Sequence, residues 1–329
     1  MSPPDALLAA IQSSHRFLIT SHLNPDGDAI GTSLGLARIL RAMGKEATVW
    51  LHDPLPPAYR PMPGAAEVLH GPEPPAGFPT VFDAGIVLEC PTLDRSGHQA
   101  HLPALPLLNI DHHLGNDHYG VAVWVEVAAP AVGEMVLRLA EALGAPVDPE
   151  AATLLHLAIV TDTGGFRFAN ATPAAFEACA RLVRLGSRPE QIAQWLYESQ
   201  SLAAVRLLGE MLPTLEIAAE GRVATALLTL EMFTRAGAQP GESEGLIDHP
   251  RSISGVEAVA LCRERAPGRT KISLRSRGDV DVEAIARRHG GGGHRNAAGF
   301  ELAGQPAEVR PAVVAALTAA VAANGLKIS

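Results

Sequence analysis

The stretch Leu107-Leu108-Asn109-Ile110-Asp111-His112-His113 constrains this chain most, because an apolar run stops abruptly in a carboxylate and two imidazoles. A run without polar alternation reads as a strand covered on both faces, and it delivers its terminal polar residues to one edge of a sheet. Three other places in the first half repeat the arrangement. Arg16-Phe17-Leu18-Ile19-Thr20-Ser21 leads into His22-Leu23-Asn24-Pro25-Asp26-Gly27-Asp28, Ala84-Gly85-Ile86-Val87-Leu88 leads into Glu89, and a helical pattern from Pro149 to Val160 closes in Thr161-Asp162-Thr163-Gly164. Strands of this kind alternating with helices predict an α/β fold whose polar residues gather at the carboxyl ends of the strands.

The rest of the chain fits that frame. A capped helix opens at Asp5 to Ile11, another runs from Ala29 to Met43 with Gly44 stopping it, and further strands are expected at Ala47 to Leu51 and Val121 to Val125. Prolines between positions 54 and 79 mark irregular connections. Helices are predicted over Val132 to Leu143, Pro149 to Val160, Pro173 to Leu185 and Pro189 to Glu198, with a connecting helix reaching Leu212. Beyond it, Val223 to Leu228, Val256 to Leu261 and Lys271 to Arg275 read as strands of a second, smaller domain. The expected organisation is a domain over 1–190, a linker helix over 191–212 and a second domain over 213–329; a length of 329 residues supports two ordinary cores.

Charge is unevenly spread. The formal net charge is −9, yet the stretch from Arg251 to Arg295 holds ten Lys/Arg against five Asp/Glu. An acidic body with a basic C-terminal segment suits a small, highly phosphorylated substrate and argues against gripping long duplexes by phosphate neutralisation. The three cysteines, Cys90, Cys179 and Cys262, form no Cys-x-x-Cys pair, so a reduced, cytoplasmic protein is expected. No signal-like start is present, and no apolar run is expected to span a bilayer.

His22, Asp26 and Asp28 place three ligands within seven residues on a proline-stiffened loop, although Asp28 would also serve as a helix cap. With Glu89, Asp111, His112, His113 and Asp162 they offer mixed imidazole and carboxylate ligation, which suits Mn²⁺, with Mg²⁺, Fe²⁺ or Co²⁺ as alternatives. A two-metal site needs a bridging carboxylate. Asp83 and Glu89 are the claimants, and strand position favours Glu89 because Asp83 precedes its apolar run. Such a site attacks phosphorus with a metal-activated hydroxide and needs no protein nucleophile. Neither Gly-x-Ser-x-Gly nor a Walker-type loop is present. Near the other end, His289-Gly290-Gly291-Gly292-Gly293-His294-Arg295 offers converging backbone N–H groups for an anion, with Arg275 on an adjacent strand; a flexible surface loop is the competing reading.

Four motifs in order carry a resemblance. His22-Leu23-Asn24-Pro25-Asp26-Gly27-Asp28-Ala29-Ile30-Gly31, Asp111-His112-His113, Thr161-Asp162-Thr163-Gly164, and Gly291-Gly292-Gly293-His294 with Ala297-Ala298-Gly299 make the chain similar to the DHH/DHHA1 phosphoesterase family, and within it to the NrnA-like oligoribonucleases (nano-RNases) and pAp phosphatases. The resemblance implies a DHH domain with a mainly parallel sheet, joined to a smaller DHHA1 domain with a mixed sheet. It implies two Mn²⁺ per chain, one on His22 and Asp26 and the other on Asp28, His112 and Asp162. The second-motif acid would bridge; the family offers aspartate there, and this chain supplies Glu89. Asp111 would orient its neighbours and His113 would meet the reacting phosphate or protonate the leaving oxygen, while Arg275, Gly291, Gly292, Gly293 and His294 hold a terminal phosphate. Substrate is placed between the domains. Arg95, Asn116 and Arg251 fall beside motifs with roles left open, and the remaining histidines, among them His52, His98 and His156, read as packing or surface residues.

The implied activity is trimming of short oligoribonucleotides (nanoRNA) to mononucleotides and conversion of 3′-phosphoadenosine 5′-phosphate (pAp) to AMP. A phosphodiesterase for cyclic dinucleotides or linear pApA is the alternative within the enzyme class. A nucleotide-binding sensor with a metal site impaired by Glu89 is the alternative outside it. The expected partners are short RNA or small nucleotides rather than membranes, and a homodimer is among the assemblies left open.

Overall fold

The computed structural model describes residues 2–198 and 200–325, with the side chain of His294 outside the described set. It divides into two units, Met1–Ser199 and Gln200–Ser329. The segment expected as one linker helix holds parts of two, described below.

The first unit contains α1 (Asp5–Ser13), β1 (Arg16–Thr20), α2 (Gly27–Ala42), β2 (Glu46–Leu51), β3 (Leu69–His70), β4 (Ala84–Leu88), β5 (Leu107–Asp111), β6 (Ala122–Val125), α3 (Val132–Ala142), α4 (Pro149–Asp162), α5 (Pro173–Arg184) and α6 (Pro189–Tyr197). Its six strands run in the order β3-β2-β1-β4-β5-β6, and every pairing is parallel. All five residues of β4 and of β5 are buried, which is why their sequences lack polar alternation. The strand order reverses between β1 and β4. Connections leaving those two strands diverge to opposite faces, and the crevice that opens at their carboxyl ends is where open α/β sheets place ligands.

Helices α2 and α4 approach more closely than side chains would allow. Gly27, Gly31 and Gly35 form a stripe at helical spacing along α2. A Cβ at Gly31 would lie 2.6 Å from the Leu154 carbonyl oxygen, and one at Gly27 would lie 2.3 Å from Thr161 Cγ2. This stripe sets the amino end of α2 against the carboxyl end of α4. Asp28 and Asp162 stand at those two ends.

The second unit contains α7 (Leu202–Met211), β7 (Glu216–Ala218), β8 (Val223–Leu228), α8 (Leu230–Ala236), α9 (Asp248–Arg251), β9 (Ala258–Ala266), β10 (Arg269–Ser276), α10 (Glu283–Arg288), β11 (Gly292–His294), β12 (Ala297–Ala303) and α11 (Pro306–Gly325). Its sheet has the order β11-β12-β10-β9-β8-β7. The β8–β9 pairing is parallel and the others are antiparallel, so the sheet is mixed. Ile272, Leu274 and Cys262 pack with α11 on one face, while Val259 and Leu261 pack with Leu207, Met211 and Phe233 on the other.

Two expectations are corrected here. Residues Pro306–Asn324 of α11 are long and apolar enough to cross a membrane by length and composition, whereas no such run was expected. Val309, Val313, Leu317 and Val321 of that helix are buried in the core of the second unit, which accounts for its apolar character. The glycine stretch, read as an anion-binding run with a flexible surface loop as the competing reading, is partly strand. Gly292–His294 pairs with Ala297–Gly299 in a hairpin, and a Cβ at Gly293, whose φ is +144°, would meet the Ala297 carbonyl oxygen at 2.4 Å.

Replacing Gly31 with valine should push α2 off α4 and destabilise the protein by about 2 kcal/mol or more. Denaturant unfolding measures this, and an unchanged midpoint would remove the glycine stripe from the account.

Candidate metal centre

His22 and Asp26 lie between β1 and α2, Glu89 follows β4, Asp111 ends β5 with His112 and His113 just beyond, and Asp162 ends α4. These positions flank the reversal in strand order. Ligand atoms of Asp28, His112 and Asp162 lie within 4.8 Å of one another, and so do those of Glu89, His112 and His113. His22 Nε2 and Asp26 Oδ1 form an adjoining pair 3.9 Å apart.

Backbone carbonyls orient two of the imidazoles. His22 Nδ1–H donates to the Leu23 carbonyl at 2.8 Å and His112 Nδ1–H to the Ala129 carbonyl at 3.0 Å. Each ring therefore turns Nε2 toward the acids, with Glu89 Oε1 at 3.2 Å from that of His112. His113 is tied differently. Its Nδ1–H donates to Asp111 Oδ1 at 2.8 Å, and Asp111 Oδ1 also accepts the His112 backbone N–H at 2.9 Å. Asn116 Nδ2 donates to Asp111 Oδ2 at 2.6 Å and to Asn109 Oδ1 at 2.9 Å. Burial opposes ionisation of Asp111, but the bonds from His113 and Asn116 hold it below the ordinary carboxylate range.

Asp28 is fully buried within the first turn of α2. The cap of that helix is Asp26, which accepts from the Ala29 N–H, so the capping alternative falls to its neighbour. Asp28 instead accepts from Thr32 Oγ1 at 2.7 Å and from the Val132 and Gly133 amides at 2.7 and 3.0 Å. Those amides open α3, whose positive end favours an anion.

The other acids are less well served. Glu89 is 2% exposed, has a left-handed φ of +55°, and its Oε2 has no hydrogen-bond partner among the described residues. A left-handed backbone at a non-glycine residue costs on the order of 1 kcal/mol or more. Burial and the charge of Asp28 push the Glu89 pKa well up. Burial and the same charge push Asp162 up to about 7. Two buried carboxylates, Asp28 and Glu89, with part-buried Asp162 beside them, an orphaned oxygen and the Nε2 of His112 among them, form a donor set that fits divalent cations.

Asp83 is elsewhere. It accepts from the His15 and Arg16 amides at 2.9 and 2.8 Å and meets the Arg16 guanidinium at 2.9 Å. The Arg16 side chain, aided by those amides, lowers its pKa to about 2. Sequence reasoning missed several supports of the centre. Asn170 Nδ2 donates to Asp162 Oδ2 at 3.0 Å, Asp53 accepts the Asn24 amide of the ligand loop at 2.7 Å, and the Arg95 carbonyl accepts the Leu23 amide at 2.7 Å. Only the glycine spacing in α2 was a signal that could have exposed the helix contact beneath them.

In the second unit, the half-buried Arg275 donates through Nη1 to the Leu274 carbonyl at 2.9 Å, and burial lowers its pKa. The Gly290 and Gly291 amides bond carbonyls of α10 at 3.1 and 2.9 Å, so two of the four glycine amides serve that helix rather than an anion. Arg295 pairs with Asp279 at 3.1 Å, and Arg251 with Asp248 at 3.2 Å. The predicted role of His294 rests on a side chain outside the described residues.

Comparisons with known proteins agree with this architecture. Residues 16–159 match the family model of the DHH family, N-terminal domain, and residues 221–323 match the DHHA1 domain. The chain is 35% identical over 87% of its length to the bifunctional oligoribonuclease and PAP phosphatase NrnA of Thermus thermophilus, covering 84% of that protein. It is 27% identical over 90% of its length to the protein of the same description from Bacillus subtilis, covering 92% of it. Among solved structures, an exopolyphosphatase-related protein from Bacteroides fragilis matches with a TM-score of 0.87 at 27% identity, over 96% of this chain and 97% of that one.

One consequence concerns acid stability. The Asp83 carboxyl has a folded pKa of about 2 against an ordinary 3.8, so its contribution is complete above the unfolded value and is lost as pH falls through the folded one. Unfolding curves for wild type and Asp83→Asn should differ by a constant amount above about pH 5 and converge between about pH 4 and 2. Parallel curves across that window would refute the pairing.

Proposed function

This chain belongs to the DHH family, and we propose that it is a metal-dependent phosphoesterase that trims short oligoribonucleotides to mononucleotides and converts pAp to AMP. The observation that carries the reading is the convergence of buried Asp28 and Glu89 and part-buried Asp162 on His112, with Glu89 Oε2 left without a partner among the described residues. The activities for which the two NrnA relatives are named supply the substrate class. Residues 1–190 would do the chemistry and 213–329 would bind substrate, with 191–212 as the linker.

Two divalent cations, Mn²⁺ first and Mg²⁺ or Co²⁺ as alternatives, would be held by His22 and Asp26 on one side, by Asp28, His112 and Asp162 on the other, and by Glu89 between. When bound, they would supply Lewis acidity toward water and phosphoryl oxygens. The chain's own groups do the rest. Asp111, held by Asn116, fixes the Nδ1–H tautomer of His113, which leaves Nε2 to meet the reacting phosphate or to serve the leaving oxygen. Arg275, Gly291, Gly292, Gly293 and His294 would take the substrate's terminal phosphate, where a guanidinium and small residues admit close approach. Substrates are then short RNA and small nucleotides rather than long duplexes, in keeping with the net charge of −9.

Purified protein with Mn²⁺ should turn over pAp and a ribo-pentamer; turnover of cyclic di-AMP alone would overturn the substrate assignment. Chelation should abolish hydrolysis and Mn²⁺ should restore it, with close to two ions per chain by metal analysis. Fewer than about one would sink the two-metal reading. Asp28→Ala should abolish turnover. His294→Ala should instead raise KM roughly 10- to 100-fold, as loss of a charged hydrogen bond does. Intact KM with lost kcat in that variant would reverse the division of labour.

A further inference from the structure

A second cationic cavity lies within the DHHA1 unit, between α8 with the turn that follows it and strands β9 and β10. It encloses about 760 Å³, a volume typical of sites for small organic ligands. Leu230, Phe233 and Ala238 line it on one side, and Arg263, Glu264, Arg265 and Lys271 on the other. Arg263 and Lys271 are directly paired across the β9–β10 ladder, so both side chains leave the same face of the sheet.

The charges of that wall are unevenly matched. Arg265 is engaged by Glu301 at 2.5 Å, and Arg269 reaches the same carboxylate at 3.5 Å. Glu264 Oε2 accepts the Leu230 amide at 3.0 Å. Arg263 places Nη1 on the Pro240 carbonyl at 2.8 Å and on Ser243 Oγ at 2.6 Å, which holds the guanidinium in place. Its Nε and Nη2, and the whole ammonium of Lys271, have no hydrogen bond or ion pair among the described residues. Both cations are half-buried, and burial lowers the pKa of each. Two adjacent cations partly withdrawn from water, without a counter-charge in contact, favour an anion. A lone inorganic anion would leave most of the cavity and its apolar wall unused.

We propose that this cavity is a second ligand site that takes an organic phosphate: a small phosphate monoester with an apolar or aromatic body, its phosphate on Arg263 and Lys271 and its body against Leu230 and Phe233. Arg275 lies four residues further along β10, about 13 Å away by strand rise. The site is therefore separate from the proposed grip on the terminal phosphate, and it stands whether or not the hydrolytic reading does.

Calorimetric titration of the chelated, full-length protein with adenosine monophosphate tests this, with inorganic phosphate as a parallel probe. AMP should bind at a site weakened at least tenfold by Lys271→Gln and left within twofold by Arg275→Ala. Leu230→Ala, a change at a partly exposed position, should weaken AMP binding and leave phosphate unaffected. Circular dichroism would establish that the variants are folded. AMP binding indifferent to Lys271→Gln, or lost only in Arg275→Ala, would overturn the proposal. Phosphate binding as tight as AMP would overturn the role given to the apolar wall.

Discussion

The close approach of α2 to α4 is the contact on which the candidate metal centre depends. A glycine stripe lets the two backbones meet where any Cβ would collide with a carbonyl oxygen or a threonine side chain. The amino end of one helix and the carboxyl end of the other then arrive together, and each carries an aspartate. A parallel sheet supplies the remaining groups, because loops leaving β1, β4 and β5 all emerge at one edge. The centre is thus a product of packing as much as of ligand chemistry.

Within it, the acids are treated unequally. Asp28 receives two helix-terminal amides and a threonine hydroxyl, so its charge is stabilised even out of water. Glu89 and Asp162 receive less, and the negative charge of Asp28 raises both. One well-hydrogen-bonded anion that raises the pKa of its neighbours is the pattern expected of a cluster built around positive charge. Asp111 stands apart: its oxygens already accept from backbone amides, His113 and Asn116.

The second unit answers a different demand. Its glycines were read as an anion-binding loop, yet part of that stretch forms a hairpin in which small residues let strands and helix approach. Periodicity could not reveal this, since glycine runs carry no hydrophobic pattern and serve loops, close-packed strands and helix ends alike. No element was expected at α11, and its buried face identifies this apolar run as a core helix.

By itself, the sequence determined the α/β class, five of the six strands of the first unit and the residues at their ends, because buried parallel strands write uninterrupted apolar runs and polar terminators into the chain, whereas the two-residue, exposed β3 writes none. Asp83 and Glu89 were told apart by the same logic of strand direction. The tertiary structure alone decided which acid would be stabilised and which would be frustrated, since burial, helix-terminal amides and neighbouring charge arise from segments some hundred residues apart. The α3 amides reach Asp28 from 104 and 105 residues away, and no local pattern records them. The cationic cavity beside β9 and β10 is of the same kind: its residues are scattered in sequence, and only strand pairing sets Arg263 beside Lys271.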